Sequence, residues 1–198
     1  MTGDHYFTAV PGARQRRREV GFTVAGREFR LVASSGVFSA DRLDPGTAVL
    51  LHKTAPPTGG CLLDLGCGYG PIATVLAVLA PQATVYAVDV NVRALDLARE
   101  NAAAQGVADR VVVATPDQVP ADVAFDGIWS NPPIRVGKAE LHTMLDRWLH
   151  RLAPAGVAWL VVARNLGGDS LHRWLVEQGW AVTRHASQQG YRVLRVTR

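Results

Sequence analysis

Asp64-Leu65-Gly66-Cys67-Gly68-Tyr69-Gly70 sets a carboxylate at the end of a short apolar run and follows it with three glycines at alternate positions. Glycine lets the backbone turn sharply and approach a ligand without a side chain in the way. The spacing G-x-G-x-G differs from the G-x-G-x-x-G that seats a pyrophosphate. A carboxylate ahead of the loop attracts an ammonium group and repels a phosphate, so the loop suits a nucleoside ligand that carries a cationic amino acid. The plain alternative is a glycine-rich turn with a buried capping aspartate.

Farther along stands Ser130-Asn131-Pro132-Pro133. Each proline removes an N–H and keeps the segment extended, so it cannot continue a β-ladder. What remains is acceptors: the side-chain oxygen of Asn131 and the carbonyl of Pro132. An exocyclic amine on a base ring is a poor nucleophile because its lone pair is delocalised. Two acceptors that hold its two hydrogens can twist it and localise that lone pair. No strong base is needed, only placement and oriented dipoles. Loop and acceptors together point to methyl transfer from S-adenosylmethionine to a planar nitrogen, with Asn131, Pro132 and Pro133 as the catalytic segment. Without the glycine loop, an ordinary Asn-Pro turn would be the better reading.

The elements that must position these residues alternate strand and helix. Glu19–Val24 and Arg27–Val32 read as a β-hairpin around Ala25-Gly26. A loop from Ala33 to Pro45 precedes a short helix through Leu50 and Leu51. Cys61–Leu65, Thr84–Val88, Arg110–Ala114, Phe125–Ser130 and Gly156–Val162 read as five strands. Helices start at Pro71 and after the capping residue Asn91, and further helical stripes run through Leu141–Leu152 and Leu171–Leu175. Trp180–His185 and Tyr191–Val196 form a closing hairpin. Repeated β-α units predict a mostly parallel, Rossmann-like α/β sheet with helices on both faces and antiparallel strands at one edge. Asp89 ends the second strand, where such folds receive ribose hydroxyls; capping of the next helix is the competing role. Asp117, past the third strand, can reach an adenine amino group or sit in an exposed turn.

The 198 residues suit one domain, divided here into a basic arm (1–18), a hairpin and loop (19–58) and the Rossmann-like core (59–198). The longest strongly apolar run, Ile72 to Ala80, is too short to span a bilayer, and no segment resembles a signal peptide. Cys61 and Cys67 lie too close together for an ordinary disulfide, which suits a reducing cytoplasm. His5, His142, His150 and His172 lack metal-ligand spacing. Net charge is +4, and residues 1–30 hold six arginines against three acids. Basic ends suit a polyanion such as RNA; solvated surface decoration explains them equally well.

His5-Tyr6-Phe7, Ser35-Gly36-Val37-Phe38-Ser39, Asp44-Pro45-Gly46-Thr47, DLGCGYG, SNPPIRVGK and the ending GYRVLRV resemble the small-domain methyltransferases, the group that contains the small-subunit ribosomal RNA guanine-N2 methyltransferases. The resemblance covers nearly the whole chain. It implies a class I fold that uses S-adenosyl-L-methionine, with Asp64, Gly66, Cys67, Gly68, Gly70, Asp89, Val90, Asp117 and Asn131 at the cofactor and Asn131 and Pro132 at the target nitrogen. It also implies a ribosomal RNA or small-subunit partner, and a monomer or homodimer with no membrane association. Many members carry an aromatic after Asn-Pro-Pro, where this chain has Ile134. Phe38 is then the candidate for stacking on the target base, with loop anchoring as its other role. Arg135 and Lys138 can receive a substrate phosphate or stay solvated. A glutamine-N5 protein methyltransferase and a catalytically silent RNA-binding module are the competing functions.

Overall fold

Leu62 and Leu63 are adjacent in sequence, so they point to opposite faces of a strand, and both are fully buried. Ile128 and Trp129, Leu160 and Val161, and Val193 and Leu194 repeat the pattern. Strands buried on both faces need a helical layer on each side. The computed structural model has that arrangement; it describes residues 17–34, 42–55, 57–133 and 137–198.

The described elements run β1 (Arg17–Val24), β2 (Arg27–Ser34), α1 (Pro45–Lys53), β3 (Gly59–Leu65), α2 (Pro71–Leu79), β4 (Gln82–Val88), α3 (Val92–Ala104), β5 (Val111–Ala114), β6 (Phe125–Ser130), α4 (Lys138–Leu149), β7 (Leu152–Ala163), α5 (Gly168–Glu177), β8 (Ala181–Gln188) and β9 (Tyr191–Thr197). Seven strands form one sheet in the order β5-β4-β3-β6-β7-β9-β8. The five from β5 to β7 are parallel, and β9 and β8 are antiparallel. Leu50, Ile72, Val75, Leu76, Leu95 and Ala98 bring α1, α2 and α3 onto one face. Leu141, Leu145, Trp148, Leu171 and Leu175 bring α4 and α5 onto the other. No helix among the described residues is long and apolar enough to cross a membrane.

Two of the boundaries that differ from the sequence reading bear on how the sheets are built. Arg17 and Arg18 belong to β1, not to an arm: Arg17 pairs with Ser34 across the hairpin and its guanidinium meets Glu100 of α3. Ladder pairing and an ion pair carry the strand past the point where apolar alternation fades. β7 starts at Leu152 rather than Gly156, with a register shift against β6 between Phe125 and Gly127. Gly156 sits inside that irregularity, where an added Cβ would lie 2.8 Å from the Phe125 carbonyl oxygen.

The β1–β2 hairpin forms its own two-stranded sheet and docks on α3. Val20, Leu31 and Ala33 pack with Tyr69, Ala94 and Leu97. Asn101 of α3, fully buried, accepts the Val32 N–H at 2.7 Å and donates to the carbonyls of Val32 at 2.9 Å and Tyr69 at 2.8 Å. One amide thus joins the hairpin, α3 and the glycine loop. Asn101→Ala strands these buried groups and should destabilise the fold by about 1–3 kcal/mol in denaturant titration. A smaller loss would mean that water replaces the amide.

Candidate active site

β3 has β4 on one side and β6 on the other, so chain connections leave it in opposite directions. Such a switch point opens a crevice at the carboxyl ends of the strands. The glycine loop leaves β3 there and Asn131-Pro132-Pro133 leaves β6 beside it. Ser130 ties the two ends together, its hydroxyl donating to the Leu65 carbonyl at 2.7 Å.

The loop turns its amides inward. Gly66 and Cys67 donate to the Val88 carbonyl at 2.8 and 3.0 Å, Gly70 to that of Cys67 at 2.9 Å, and Gly68 to Asp89 Oδ2 at 2.9 Å. A phosphate site needs such N–H groups aimed outward, so these bonds exclude the pyrophosphate reading on geometry as well as spacing. Gly66 has φ +75°, and open space surrounds the place a Cβ would take. Gly70 instead faces Ala98, whose Cβ lies 3.0 Å from that place, and lets α3 pack closely. The Cys67 side chain is in the core beside them, and burial pushes its thiol up.

Asp64 lies under the loop, fully buried. Its Oδ2 accepts the Ala73 N–H in the first turn of α2 at 2.9 Å, while Oδ1 has no partner among the described residues. The capping and ligand readings therefore meet in one carboxylate, with one oxygen for each. Burial raises its pKa to about 8; the Ala73 bond opposes the shift and the charge of Asp89 adds to it. An orphaned buried acceptor beneath an open glycine turn fits a ligand that brings a cationic donor.

Asp89 is also buried, its Oδ1 accepting the Asn91 N–H at 2.9 Å. Helix α3 is capped by Asn91 itself, which accepts from Arg93 and Ala94, so Asp89 does not serve as that cap. Its two oxygens thus face the glycine loop and the start of α3, at the carboxyl end of β4. Val90 beside it is 46% exposed, an apolar surface at the crevice rim. Asp89→Ala should weaken cofactor binding by about 1–3 kcal/mol in titration calorimetry. It should also lower the melting temperature of the cofactor-free protein, since Gly68 and Asn91 lose an acceptor. Undiminished affinity would remove Asp89 from the site.

At the end of β6, Asn131 Nδ2 lies 2.6 Å from Asp44 Oδ1 and 3.0 Å from Thr47 Oγ. Asp44 is the N-cap of α1, and the same Oδ1 accepts the Thr47 N–H at 2.9 Å. The far end of α1 is tied to β6 as well: Trp129 Nε1 donates to Thr54 Oγ at 3.0 Å. Tyr191 of β9 crowds this helix, so a Cβ on Gly46 would come within 2.9 Å of its ring. Burial and the Asp44 charge both push the Tyr69 and Tyr191 phenols up, and the Tyr69 hydroxyl has no partner among the described residues. In the sequence, Asp44-Pro45-Gly46-Thr47 stands out only as part of the family resemblance. The one local signal was its form as a helix start, Asp before Pro at the first helical position.

Pro132 is buried and Pro133 half-buried. Lys138 is exposed at the first residue of α4. Asp117 is brought to α4, paired with Arg147 at 3.1 Å and with its side chain 90% exposed. Phe38, Ile134 and Arg135 lie outside the described residues, as do Arg14 and Arg16. On the same sheet edge, a cavity of about 580 Å³ opens at the end of β7 and the start of β9, lined in part by Arg164, Asn165, Asp169, Gln189, Tyr191 and Arg192.

A family model described as the methyltransferase small domain matches residues 28–195. The chain belongs to this family. The uncharacterized protein YbxB of Bacillus subtilis is 30% identical over 97% of each chain. Ribosomal RNA small subunit methyltransferase C of Pseudomonas aeruginosa is 35% identical over 77% of this chain and 47% of that protein, so this chain spans about half of it. The T. thermophilus 16S rRNA N2 methyltransferase RsmC, solved with AdoMet and guanosine, superposes with a TM-score of 0.78 at 24% identity, over 96% of this chain and 52% of that one. The fold is that of a class I methyltransferase, and this methyltransferase small domain is an enzyme that uses S-adenosylmethionine.

Proposed function

We propose that this methyltransferase acts on RNA, at the exocyclic N2 amine of a guanine in ribosomal RNA. The observation that carries the reading is the oriented Asn131 amide beside the Pro132 carbonyl at the sheet's switch point. Nδ2 is taken up by Asp44 and Thr47, so Oδ1 is the atom left to meet a substrate hydrogen. Relatives named as ribosomal RNA methyltransferases support the polymer. At the cavity, one to two strands from Asn131, Arg164, Arg184 and Arg192 surround Asp169, which pairs with Arg184 and Arg192, and the cluster stays net positive where a polyanion would cross the edge.

Asp64, Gly66, Gly68, Asp89 and Val90 are the residues that would hold the cofactor. When bound, S-adenosylmethionine supplies a methyl group on a sulfonium, which needs no further activation. The chain's own work is on the nitrogen. Asn131 Oδ1 and the Pro132 carbonyl take the two amine hydrogens, turn the group out of the base plane and confine its lone pair. As the N–C bond forms and the S–C bond breaks, charge builds on nitrogen, and the same two oxygens stabilise it. The proton released afterwards passes to water.

The test is transfer of labelled methyl to naked ribosomal RNA, intact subunits, DNA and total protein, followed by nuclease digestion. N2-methylguanosine in the RNA is the expected product. Label at glutamine in protein would replace this reading with the N5-glutamine one. RNA binding without transfer to any of the four would leave a silent RNA-binding module.

A further inference from the structure

An asparagine amide presents opposite chemistry on its two sides, and rotation about its last torsion exchanges them at small cost. For Asn131 the exchange matters. With Oδ1 toward the substrate, the amide accepts an amine hydrogen and frees the nitrogen lone pair. With Nδ2 there, it donates into that lone pair and blocks attack. Some group must choose between them.

Asp44 is placed to do so. An ionised carboxylate only accepts, so the atom 2.6 Å from its Oδ1 must be the amide nitrogen of Asn131. Thr47 Oγ at 3.0 Å receives the other amide hydrogen. Asp44 is itself held firmly: the Thr47 N–H donates to the same oxygen, and the carboxylate sits at the N-terminus of α1, where the helix dipole favours negative charge. The helix is pinned to β6 by Trp129 and Thr54, so the carboxylate and the amide ride on one rigid unit. The negative charge on the nitrogen side also pushes the amide's electrons toward Oδ1, which strengthens it as an acceptor.

We propose that Asp44 is a positioning residue for methyl transfer, holding the Asn131 amide with its oxygen toward the target nitrogen and polarising it. Thr47 assists through its hydroxyl. This rests on the proposed role of Asn131 and adds a second group to it, 87 residues distant in sequence.

Asp44 also caps α1, so the test must separate capping from positioning. Asp44→Ser keeps a good N-cap but is one bond too short to reach Asn131. Asp44→Asn keeps length, cap and an acceptor oxygen, but loses the charge. In single-turnover methyl transfer with saturating cofactor, Asp44→Ser should be about 30–100-fold slower and Asn about 3–10-fold slower, with cofactor affinity within about threefold. In an Asn131→Ala background, Asp44→Ser should cost less than about twofold more, because the amide it orients is gone. A wild-type rate for Asp44→Ser beside a slow Asn131→Ala would overturn the positioning role and leave that of Asn131 standing. So would an undiminished Asp44→Ser loss in the Asn131→Ala background. If Asn131→Ala is itself unimpaired, the reading of Asn131 falls first. Should Asp44→Ser fail to fold, Asp44→Asn carries the same cycle.

Discussion

Asn131→Ala is expected to slow single-turnover methyl transfer by about 10²–10³ while cofactor affinity stays nearly intact, on the scale of deleted transition-state hydrogen bonds. The substitution removes Oδ1 and leaves the Pro132 carbonyl and the extended backbone in place. The interaction is strongest as charge develops on the attacking nitrogen, so its loss falls on turnover rather than on binding. Asn131→Asp is the sharper variant. It would set a second carboxylate against Asp44, where Nδ2 now lies 2.6 Å away. Two carboxylates that close cannot both stay ionised, so they share a proton and lose the ordered acceptor. Its rate should therefore resemble that of the alanine variant. Saturating cofactor and excess enzyme isolate the chemical step. Near-wild-type rates for both variants would make Asn131 a turn residue only.

What was legible in the sequence was local. Cys61–Leu65 followed by alternate glycines, Asp89 at the end of the next apolar run, and Asn91 as a cap are patterns within a few residues of each other. The structure has each as a strand end, a turn or a cap. The alternation of strands and helices gave the doubly wound sheet for the same reason. Asp44 escaped notice because its contact with Asn131 depends on tertiary packing: α1 must cross the sheet before the two meet. Spacing along the chain carries no trace of that. Asn101 is a similar case, since a buried amide that bonds three carbonyl and N–H positions looks in sequence like any polar residue of a helix. The closing hairpin does add its antiparallel strands at one edge, but that β9 rather than β8 pairs with β7 is settled by tertiary packing and not by local pattern. Asp117, after β5, pairs with Arg147 of the neighbouring helix while its side chain stays exposed, a contact that spacing along the chain does not show either.

Cofactor affinity should depend on pH through Asp64, rising by up to about tenfold per pH unit between roughly pH 6 and pH 8. Burial holds this carboxyl at about 8 in the cofactor-free fold, well above its ordinary 3.8. Across the window between those two values, the folded chain binds a proton that the unfolded chain has lost. Asp64 therefore makes the cofactor-free protein progressively less stable as pH rises from about 4 to about 8, and no further change follows above that. A ligand ammonium reverses the preference, because it favours the ionised carboxylate and meets the oxygen that has no partner among the described residues. Binding below pH 8 must then expel the proton. Above it the gain ends, and the ligand's own α-amino group begins to lose its charge, which happens near pH 8 for such groups. Affinity should peak close to that point. Titration calorimetry at pH 6.5, in two buffers of different ionisation enthalpy, should show nearly one proton released per cofactor bound. Asp64→Asn keeps the acceptor for the Ala73 N–H and removes the titration, so its affinity should be lower and flat across the same range. Equal heats in both buffers with the native chain, together with a flat affinity, would mean that the ammonium is held elsewhere and that Asp64 serves only the first turn of α2.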